Sequence, residues 1–434
     1  MSERTTAAAA GLPPRHPEKG FAADPLDVLQ EGHRVHGPVF RMPVDGVETV
    51  LVGTWGGLGE LFAAERDHLE VLNTPLVHDL FGRALFNLTA DAHGQARQRL
   101  RLALSGRALP GYVPALLEVA EPVAARWARR GTSDLHREVR ELTGAMSARV
   151  LLGIAEDEAD AARFAADFET FVAAGSAPPG TSRFTSPRYW AGRAARRRLR
   201  ALFARRAAAV RGKPDGSALA TLVAAFDGAP TAVGPLEDHL LALLIAARET
   251  TASLVTWYLV ELAGHDDPAR AAAQEVLAVP AEPELLVRRD ALPVLRAVLA
   301  ETQRLHSPNL LSVRETVCPV TLGGHLIPPG SRVAYSPSAG HFDPEVFPQP
   351  RDFRPGRFLA GQTNTSRLWA FGGGAHACLG RPLAELMTLT AVTAALRQGL
   401  PRLPAGPPSR IRYRPAKAPI DPLPFTLECQ EPAS

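Results

Sequence analysis

One glycine-rich stretch of this chain delivers a single cysteine to the start of a predicted helix. The stretch reads Phe371-Gly-Gly-Gly-Ala-His-Ala-Cys378-Leu-Gly380, and the spacing of apolar residues from Arg381 to Leu396 predicts a helix directly after it. Unpaired N–H groups and the positive end of the helix dipole stabilise a thiolate at such a position. Glycines also let backbone amides approach the sulfur without a Cβ clash. The loop is therefore suited to hold a permanent thiolate.

Three roles are open to this loop on its local sequence. The first is a buried structural cysteine beside a tight turn. The second is phosphate binding, because Gly372, Gly374 and Ala377 satisfy a loose G-x-G-x-x-[GA] pattern. A dinucleotide fold also needs a preceding strand and an acidic residue about 20 positions later, and the stretch around Arg397 offers no acid. The third is ligation of a metal, and a lone thiolate without a C-x-x-C partner suits haem iron better than zinc or an iron–sulfur cluster.

The loop also carries a family resemblance. Phe371, Gly374, Cys378 and Gly380 reproduce F-x-x-G-x-x-x-C-x-G, the haem-binding loop of the cytochrome P450 family of haem-thiolate monooxygenases, which this chain resembles over nearly its whole length. The resemblance implies a mainly α fold with small β-sheets, shaped as a triangular prism around one long distal helix. It also implies haem b bound through the Cys378 thiolate, with Phe371, Gly372 and Gly380 beside the cofactor.

A second motif lies in the longest predicted helix, residues 235–263, which has a proline in its first turn. The run Arg-Glu-Thr-Thr at 248–251 resembles the family's A-G-x-[DE]-T-[TS], except that Ala247 stands where the family has Gly. The resemblance implies that Ala247 borders the haem and that Glu249 and Thr250 deliver the protons that oxygen activation consumes. A buried threonine bonded to a carbonyl of its own helix would explain the hydroxyl but not the adjacent acid.

Four cationic residues are implied to neutralise the haem propionates. His93 and Arg97 match the family's H-x-x-x-R at the start of a helix, where positions i and i+4 share one face. Arg314 ends the strand-like segment 308–314, and His376 lies in the cysteine loop. Arginine can bind a carboxylate through two parallel hydrogen bonds. Without the resemblance, a pair such as His93 and Arg97 is more typical of a solvated helix face.

A buried ion triad is implied by two further motifs. Glu301 and Arg304 match the family's E-x-x-R, and Arg357 follows at the family's distance. Such a triad contributes little net stability, but loss of one partner costs about 3–5 kcal/mol. The same spacing recurs at Glu31 and Arg34, where adjoining glycines and a proline predict a loop.

The predicted substrate pocket is apolar. Residues 73–90 are predicted to be a loop between helices, and in the family the equivalent loop covers the substrate, although core packing would explain some of its apolar residues equally well. With positions from the distal helix and from the segment before Arg314, the candidate pocket residues are Val77, Leu80, Phe81, Leu85, Phe86, Leu243, Ala246, Leu310 and Leu311. This lining predicts a hydrophobic substrate, and terpenoid, polyketide and fatty-acyl scaffolds all remain open.

Composition narrows the class of protein. A chain of 434 residues, 46% of them hydrophobic, can bury a large core. Its 3 cysteines exclude a disulfide framework and fit a reducing compartment, and a net charge of +3 is too small to indicate a nucleic-acid partner. No apolar run approaches the roughly 18 residues that a membrane span needs. We therefore expect a cytoplasmic monomer without a membrane span.

The predicted organisation is simple. A mobile leader at 1–20 precedes one haem domain at 21–434. That domain should begin with a short helix at 24–30 and a β-hairpin, whose strands at 39–44 and 47–52 flank an Asp-Gly turn.

The motifs together predict a haem-thiolate monooxygenase that inserts one atom of O2 into a hydrophobic small molecule, by hydroxylation or epoxidation in secondary metabolism. No segment remains for a flavin or ferredoxin domain, so the electrons should pass from NAD(P)H through a reductase and an acidic ferredoxin. The ferredoxin would meet a basic face that includes Arg99, Arg101, Arg107 and Arg381. The Ala/Arg/Pro-rich composition is similar to that of actinobacterial proteins.

Two other functions remain open. One is a peroxide-driven or redox-neutral relative on the same fold, which takes no electrons from a partner. The other is a non-catalytic haem or ligand-binding protein, which would have no need for the Glu249-Thr250 pair.

Overall fold

The computed structural model describes residues 11–17, 21, 24–155, 158–175, 186–213, 216–278, 283–288, 290–359 and 368–429. The chain divides into two compact units. The first comprises residues 1–72, 303–354 and 363–378, and the second comprises residues 73–302, 355–362 and 379–434. The prediction that 21–434 form one haem domain stays a prediction.

Helices dominate the described chain. In order they are α1 (Pro25–His36), α2 (Trp55–His68), α3 (Pro75–Phe81), α4 (Ala90–Leu104), α5 (Val113–Arg130), α6 (Leu135–Leu152), α7 (Ala159–Gly175), α8 (Pro187–Val210), α9 (Ala218–Phe226), α10 (Leu236–Gly264), α11 (Asp266–Ala278), α12 (Pro293–Leu305), α13 (Pro337–His341) and α14 (Arg381–Gln398). The strands are β1 (Val39–Val44), β2 (Val47–Val52), β3 (Leu69–Val71), β4 (Ser312–Thr316), β5 (Val320–Leu322), β6 (His325–Ile327), β7 (Arg332–Tyr335), β8 (Leu400–Arg402), β9 (Ile411–Arg412), β10 (Ala418–Pro419) and β11 (Thr426–Glu428). The predicted class, mainly α with small β-sheets, is confirmed.

The first unit is built on a five-stranded mixed sheet of order β1-β2-β7-β4-β3. β1 and β2 are antiparallel, with Val39 opposite Val52, and β2 runs parallel to β7. Between β1 and β2, Asp45 and Gly46 have φ values of 54° and 76°. Positive φ at both central positions suits the type I′ turn, whose twist matches that of the flanking strands. The predicted hairpin is therefore confirmed at both strands and at the turn.

α2 packs against this sheet through one apolar face. Leu58, Leu61 and Phe62 belong to the same buried cluster as Val50 of β2 and Val333 of β7. A side-chain cap begins the helix, because the Thr54 hydroxyl accepts the backbone N–H of Gly57 at 3.2 Å. The sheet thus holds α2 in a fixed position within the first unit.

α10 is the central helix of the second unit and packs against α6, α8 and α14. It follows Pro235 and is capped at His265, so its bounds confirm the predicted long helix. An 18-residue window within Thr231–Gly264 is long and apolar enough to cross a membrane, but 72% of that window is buried inside the protein. The apolar residues of α10 are therefore covered by the protein's own core.

A buried carboxylate near the start of α10 ties three helical elements together. Asp238 accepts hydrogen bonds from Arg196 of α8 at 2.8 Å and from the backbone N–H of Arg83 at 3.0 Å. It also lies 3.2 Å from Arg200 of α8. Gly82 has a φ of 58°, and a side chain there would overlap Asp238. The segment that follows α3 is thereby fixed to α8 and α10.

The segment 73–90 is not the loop that the sequence predicted. It contains α3 and a 3-10 turn at Leu85–Asn87, and α4 begins at its end. Thr74 caps α3 by accepting the N–H of Val77, and Pro75 occupies the first turn, where its missing N–H costs nothing. A helix of two turns gives too short an apolar pattern to be told from a loop.

Two predictions near the N-terminus also need correction. α1 extends to His36 and includes Glu31 and Arg34, which were expected in a loop. Gly32 does not end this helix; a side chain there would overlap the buried ring of Phe40, so glycine serves close packing. In the predicted mobile leader, residues 14–16 are instead bonded to β1 through the backbone of Arg41. The other described residues of that leader are 11–13 and 17.

Candidate active site

The cysteine loop closes on itself within the first unit. The backbone N–H of Cys378 donates to the carbonyl of Phe371 at 2.8 Å, and that of Gly372 donates to Trp369 at 2.8 Å. Gly372 and Gly374 have φ values of 68° and 63°, a region that other residues rarely adopt. The result is a compact turn that leaves the Cys378 side chain exposed. Two residues later in the chain, Gly380 is the N-cap of α14.

α2 forms the support beneath this loop. A Cβ placed on Gly373 would lie 2.6 Å from the ring of Phe62. A Cβ placed on Gly374 would lie 2.5 Å from Oε2 of Glu65 and 2.8 Å from the carbonyl oxygen of Phe62. The run of glycines therefore allows the loop to pass directly over the helix.

Glu65 is a site residue that the sequence reasoning did not identify. Its buried Oε1 accepts Nε of Arg314 at 2.8 Å, and its Oε2 accepts the backbone N–H of His376 at 3.0 Å. Nδ1 of His376 lies 3.4 Å from Oε1. Burial alone would raise the pKa of Glu65, but the hydrogen bonds from His376 and the charge of Arg314 outweigh it and hold the pKa below its usual value.

A clue to Glu65 was present in the sequence. It lies seven residues after Leu58 and four after Leu61, so it falls on the apolar face of α2. A carboxylate on such a face requires a buried partner. The partners themselves lie far away in the chain, at Arg314 and His376, and no local pattern points to them.

The residues proposed to bind propionates fall into two groups. Arg314 and His376 lie in the first unit and are brought together by Glu65. His93 and Arg97 lie one turn apart on α4 of the second unit, where His93 is buried and Arg97 is half-buried. The i, i+4 geometry expected from H-x-x-x-R is therefore present.

Each of the predicted triad residues has hydrogen-bond partners in the structure. Glu301 accepts Nε of Arg357 at 3.0 Å, and the side chain of Glu301 is fully buried. In the first unit, Arg304 donates to backbone carbonyls at 3.1, 2.6 and 3.1 Å, those of His341, Pro350 and Asp352. Arg304 thus fixes the path of the chain between α13 and residue 352.

One narrow face of α10 is less covered than the rest of the helix. Leu240, Leu241 and Leu244 are fully buried, whereas Ala246 is exposed. Partly uncovered residues share this stripe at the helical spacing, namely Leu243, Ala247 and Thr250. The Thr250 hydroxyl donates to the carbonyl of Ala246 at 2.7 Å, which is the i−4 bond that a helical threonine commonly makes.

Glu249 points toward α6 and is almost completely buried. Its carboxylate accepts Nη2 of Arg140 at 2.9 Å and Nε at 3.2 Å. The neighbouring Arg248 pairs with Glu169 of α7 and lies 3.7 Å from Glu249. Arg140, Glu169 and Arg248, but not Glu249, border a cavity of about 390 Å³ between α6 and α7, which is otherwise lined mainly by alanines and phenylalanines and by Glu141. Arg140 is a second site residue that the sequence reasoning missed.

The candidate pocket residues differ in exposure. Leu80 and Leu310 are buried, and Leu85 packs against a cluster that includes Leu88 and Val233, so these three side chains serve the core. The ring of Phe81 lies 5.0 Å from that of Phe86 and 5.2 Å from that of Phe171. Side chains that remain partly uncovered are those of Val77, Phe81, Phe86 and Leu311.

Comparison with known proteins identifies the family. The cytochrome P450 family model matches residues 235–400. Cyclooctat-9-en-7-ol 5-monooxygenase of Streptomyces melanosporofaciens is 28% identical over 435 residues, covering 91% of this chain and 92% of its own. Cytochrome P450 88A1 of Zea mays is 27% identical over 400 residues, covering 88% of this chain and 76% of its own. The chain belongs to the cytochrome P450 family.

The fold of this P450 agrees with that identification. A solved structure of retinoic acid-bound cyanobacterial CYP120A1 aligns with a TM-score of 0.84, over 97% of this chain and 100% of that one, at 24% identity. By family the chain is an oxidoreductase of the monooxygenase class, which uses haem with a cysteine thiolate and O2.

The residues of this P450 fit a haem held by one thiolate. Among the described residues, no group of three or more His, Cys, Asp or Glu side chains could hold a metal ion, so Cys378 stands as a single sulfur donor. Its side chain is exposed at the end of a fixed loop, and the cationic Arg314 is buried within the same unit. One thiolate with nearby cations is the donor set that a haem with two carboxylates requires.

Replacing Gly374 by alanine is expected to disrupt the cysteine loop. The new Cβ would meet Glu65 and the carbonyl of Phe62, and a φ of 63° strains any residue other than glycine. Backbone strain of this kind costs about 1–3 kcal/mol. We expect the free energy of unfolding to fall by at least that amount, and the haem content per polypeptide to fall with it. Denaturant unfolding and haem absorbance measure the two effects.

Gly356→Ala is the matched control for this variant. A Cβ at Gly356 would meet no atom within 4 Å, and its φ lies outside the left-handed region. It should change neither stability nor haem content. A Gly374→Ala protein with normal haem content would show that the loop tolerates a side chain.

Proposed function

We propose that this cytochrome P450 inserts one atom of O2 into a hydrophobic small molecule, by hydroxylation or epoxidation, as a cytoplasmic tailoring enzyme of secondary metabolism. The observation that carries the proposal is the exposed Cys378 at the end of a loop fixed by glycines and by α2. A structural cysteine would be buried. The Glu249-Thr250 pair on the central helix supports a catalytic role over simple ligand binding.

Cys378 would hold the haem iron through its thiolate, with Phe371, Gly372 and Gly380 beside the macrocycle. When bound, haem would supply the iron site at which O2 is activated, with the two electrons coming from an external donor. Its carboxylates would be bound by four residues: His93, Arg97, Arg314 and His376. The triad of Glu301, Arg304 and Arg357 would stabilise the fold around the site.

Thr250 and Glu249 are the proposed proton carriers. The Thr250 hydroxyl donates its hydrogen to the carbonyl of Ala246. Its oxygen can therefore accept a hydrogen bond from a donor such as water on the less covered stripe of α10. Glu249 is held by Arg140 on another face of the helix. We propose that Glu249 passes protons only when this ion pair opens. Ala247 would border the haem within the stripe, where its methyl narrows the space beside Thr250.

The substrate would lie against the apolar side chains that the fold leaves partly uncovered. They include Leu243 and Ala246 on α10, with Val77, Phe81, Phe86 and Leu311. Leu80 and Leu310 are buried and Leu85 packs against a core cluster, so these three residues would support the proposed pocket and not line it. The Streptomyces relative is named for cyclooctat-9-en-7-ol, a name that denotes an unsaturated alcohol, which supports a hydrophobic substrate.

Electrons would come from NAD(P)H through a reductase and an acidic ferredoxin that binds the monomeric enzyme. Arg101 and Arg107 are exposed at the end of α4, with Leu102 exposed between them. Arg99 and Arg381 are less accessible, since Arg99 bonds to its own helix and Arg381 pairs with Glu385 at 2.9 Å. Exposed arginines around an apolar side chain suit a transient complex with an acidic protein.

Cys378→Ser tests the proposal directly. The reduced wild-type protein with carbon monoxide should show the strongly red-shifted Soret band of thiolate-ligated haem, and Cys378→Ser should lose it because a serine cannot supply a thiolate. Cys318→Ser is the control, since it removes a thiol that contacts His68 and should keep the band. A red-shifted band in Cys378→Ser would contradict the assignment.

Activity can then be tested on the same wild-type protein. A panel of hydrophobic compounds is screened by the change in haem absorption on binding. Compounds that bind are incubated with NAD(P)H, reductase and ferredoxin, or with peroxide alone. Product in the first reaction supports the monooxygenase, whereas product only with peroxide identifies a peroxide-driven enzyme.

Thr250→Ala is expected to uncouple reductant consumption from product formation. Loss of a group that positions a proton lowers the coupled reaction by about 100-fold, the lower end of the acid–base range. Haem content and substrate binding should be unchanged, and Thr250→Ser should restore coupling. Thr251→Ala is a matched control, because Thr251 is buried and lies outside the open stripe. Normal coupling in Thr250→Ala would show that another group delivers the proton.

Arg101→Glu is expected to slow reduction by an acidic ferredoxin. Rim charges act mainly on association rate, and the Debye length is about 10 Å at 0.1 M salt, so wild-type reduction should also slow as salt rises. Stopped-flow reduction of the haem measures both effects. Arg197→Glu on α8 is the control, as another exposed arginine. Salt-independent reduction, or equal slowing in both variants, would place the ferredoxin elsewhere.

A further inference from the structure

We infer that Glu65 is a positioning residue for the haem carboxylates. From α2 it would set the directions of Arg314 and His376 and lower the reduction potential of the iron. The inference rests on the haem site of the proposed function. It concerns a residue of the first unit that none of the P450 motifs includes.

The contacts of Arg314 leave it almost no freedom. Its Nε and Nη2 both approach Oε1 of Glu65, at 2.8 and 2.7 Å. Nη2 also donates to the hydroxyl of Tyr335 at 3.3 Å, and Nη1 donates to the carbonyl of Val313 at 3.0 Å. A guanidinium has five N–H donors, so these partners leave one hydrogen on Nη1. Glu65 therefore determines where the remaining donor of Arg314 points.

Glu65 acts on the cysteine loop through a second contact. Its Oε2 accepts the backbone N–H of His376, two residues before Cys378. A side chain at position 374 would collide with Oε2 of Glu65, and glycine avoids this collision. The carboxylate thus fits a recess in the loop and fixes the loop and Arg314 relative to each other.

The burial of the Glu65 carboxylate is costly, and packing alone does not explain it. Its side chain has no exposed surface, and the other acidic residues of α2, Glu60 and Asp67, are exposed. Replacing a buried ion pair by apolar residues is often neutral or stabilising, so packing alone does not require Glu65. A negative charge at this position has an electrostatic effect that an apolar residue would lack.

The expected effect on the cofactor follows from charge. Ferric haem carries one more positive charge than ferrous haem, and Coulomb interactions fall slowly in a protein interior. A buried carboxylate bonded to residues that hold the haem would therefore favour the ferric form. Removing its charge should raise the reduction potential, whereas removing the charge of Arg314 should lower it.

Glu65→Gln tests this inference by removing the charge while keeping the shape. At a fixed applied potential we expect about a tenfold shift of the ferric-to-ferrous equilibrium toward ferrous, which is ~59 mV for one electron. The red-shifted carbon monoxide band should remain. Arg314→Gln should shift the equilibrium in the opposite direction. Glu60→Gln, on the same helix and exposed, is the control and should leave it unchanged.

The outcomes separate this inference from the proposed function. A wild-type protein without the red-shifted band would refute the haem-thiolate site itself. With that band present, an unchanged potential in Glu65→Gln, or an equal shift in Glu60→Gln, would overturn the role of Glu65. If Glu65→Gln does not fold, Glu65→Met, which removes the charge at a similar side-chain length, decides. A raised potential in Glu65→Met supports the inference, and an unchanged or lowered one refutes it.

Discussion

The conformation of the cysteine loop depends on one buried carboxylate. Glu65 has no exposed side-chain surface, and an isolated charge in such a place costs several kcal/mol. That cost is offset because one oxygen is bonded to Arg314 and the other to the backbone of His376. The second bond forms only if the loop passes directly over α2, which the glycines allow. The charge that must be neutralised therefore also fixes the path of the loop toward Cys378.

α10 meets two conflicting demands in the second unit. As the central helix it must be apolar, and most of its surface is covered by α6, α8 and α14. Under the proposed function it must also carry Glu249 and Thr250. Both demands are met because the two side chains point in different directions. Glu249 is buried against Arg140, whereas Thr250 lies on the less covered stripe. Neighbouring residues on a helix point about 100° apart, so an acid and an alcohol next to each other serve different faces.

The parts of this protein that the sequence predicted correctly depend on local interactions. The hairpin at 39–52, the long helix α10 and the helix after Cys378 each follow from spacing, turn residues or caps within a few positions. Glu65 and Arg140 were missed because their partners lie 249 and 109 residues away, at Arg314 and Glu249. Gly32 was misjudged for a related reason, since the ring that requires it belongs to β1. Local patterns cannot reveal which distant residue a buried group will contact.

In our proposal, charge and geometry at the site have the same origin. The thiolate, the propionates and Glu65 would all be negative, and the arginines that oppose them in the proposal are Arg97 and Arg314. An excess of negative charge in a poorly polarisable interior favours ferric iron. The residue that shapes the loop would thus also favour the oxidised form of the resting enzyme. A lowered potential would make reduction of the bound cofactor depend more strongly on the partner protein that is proposed to supply the electron.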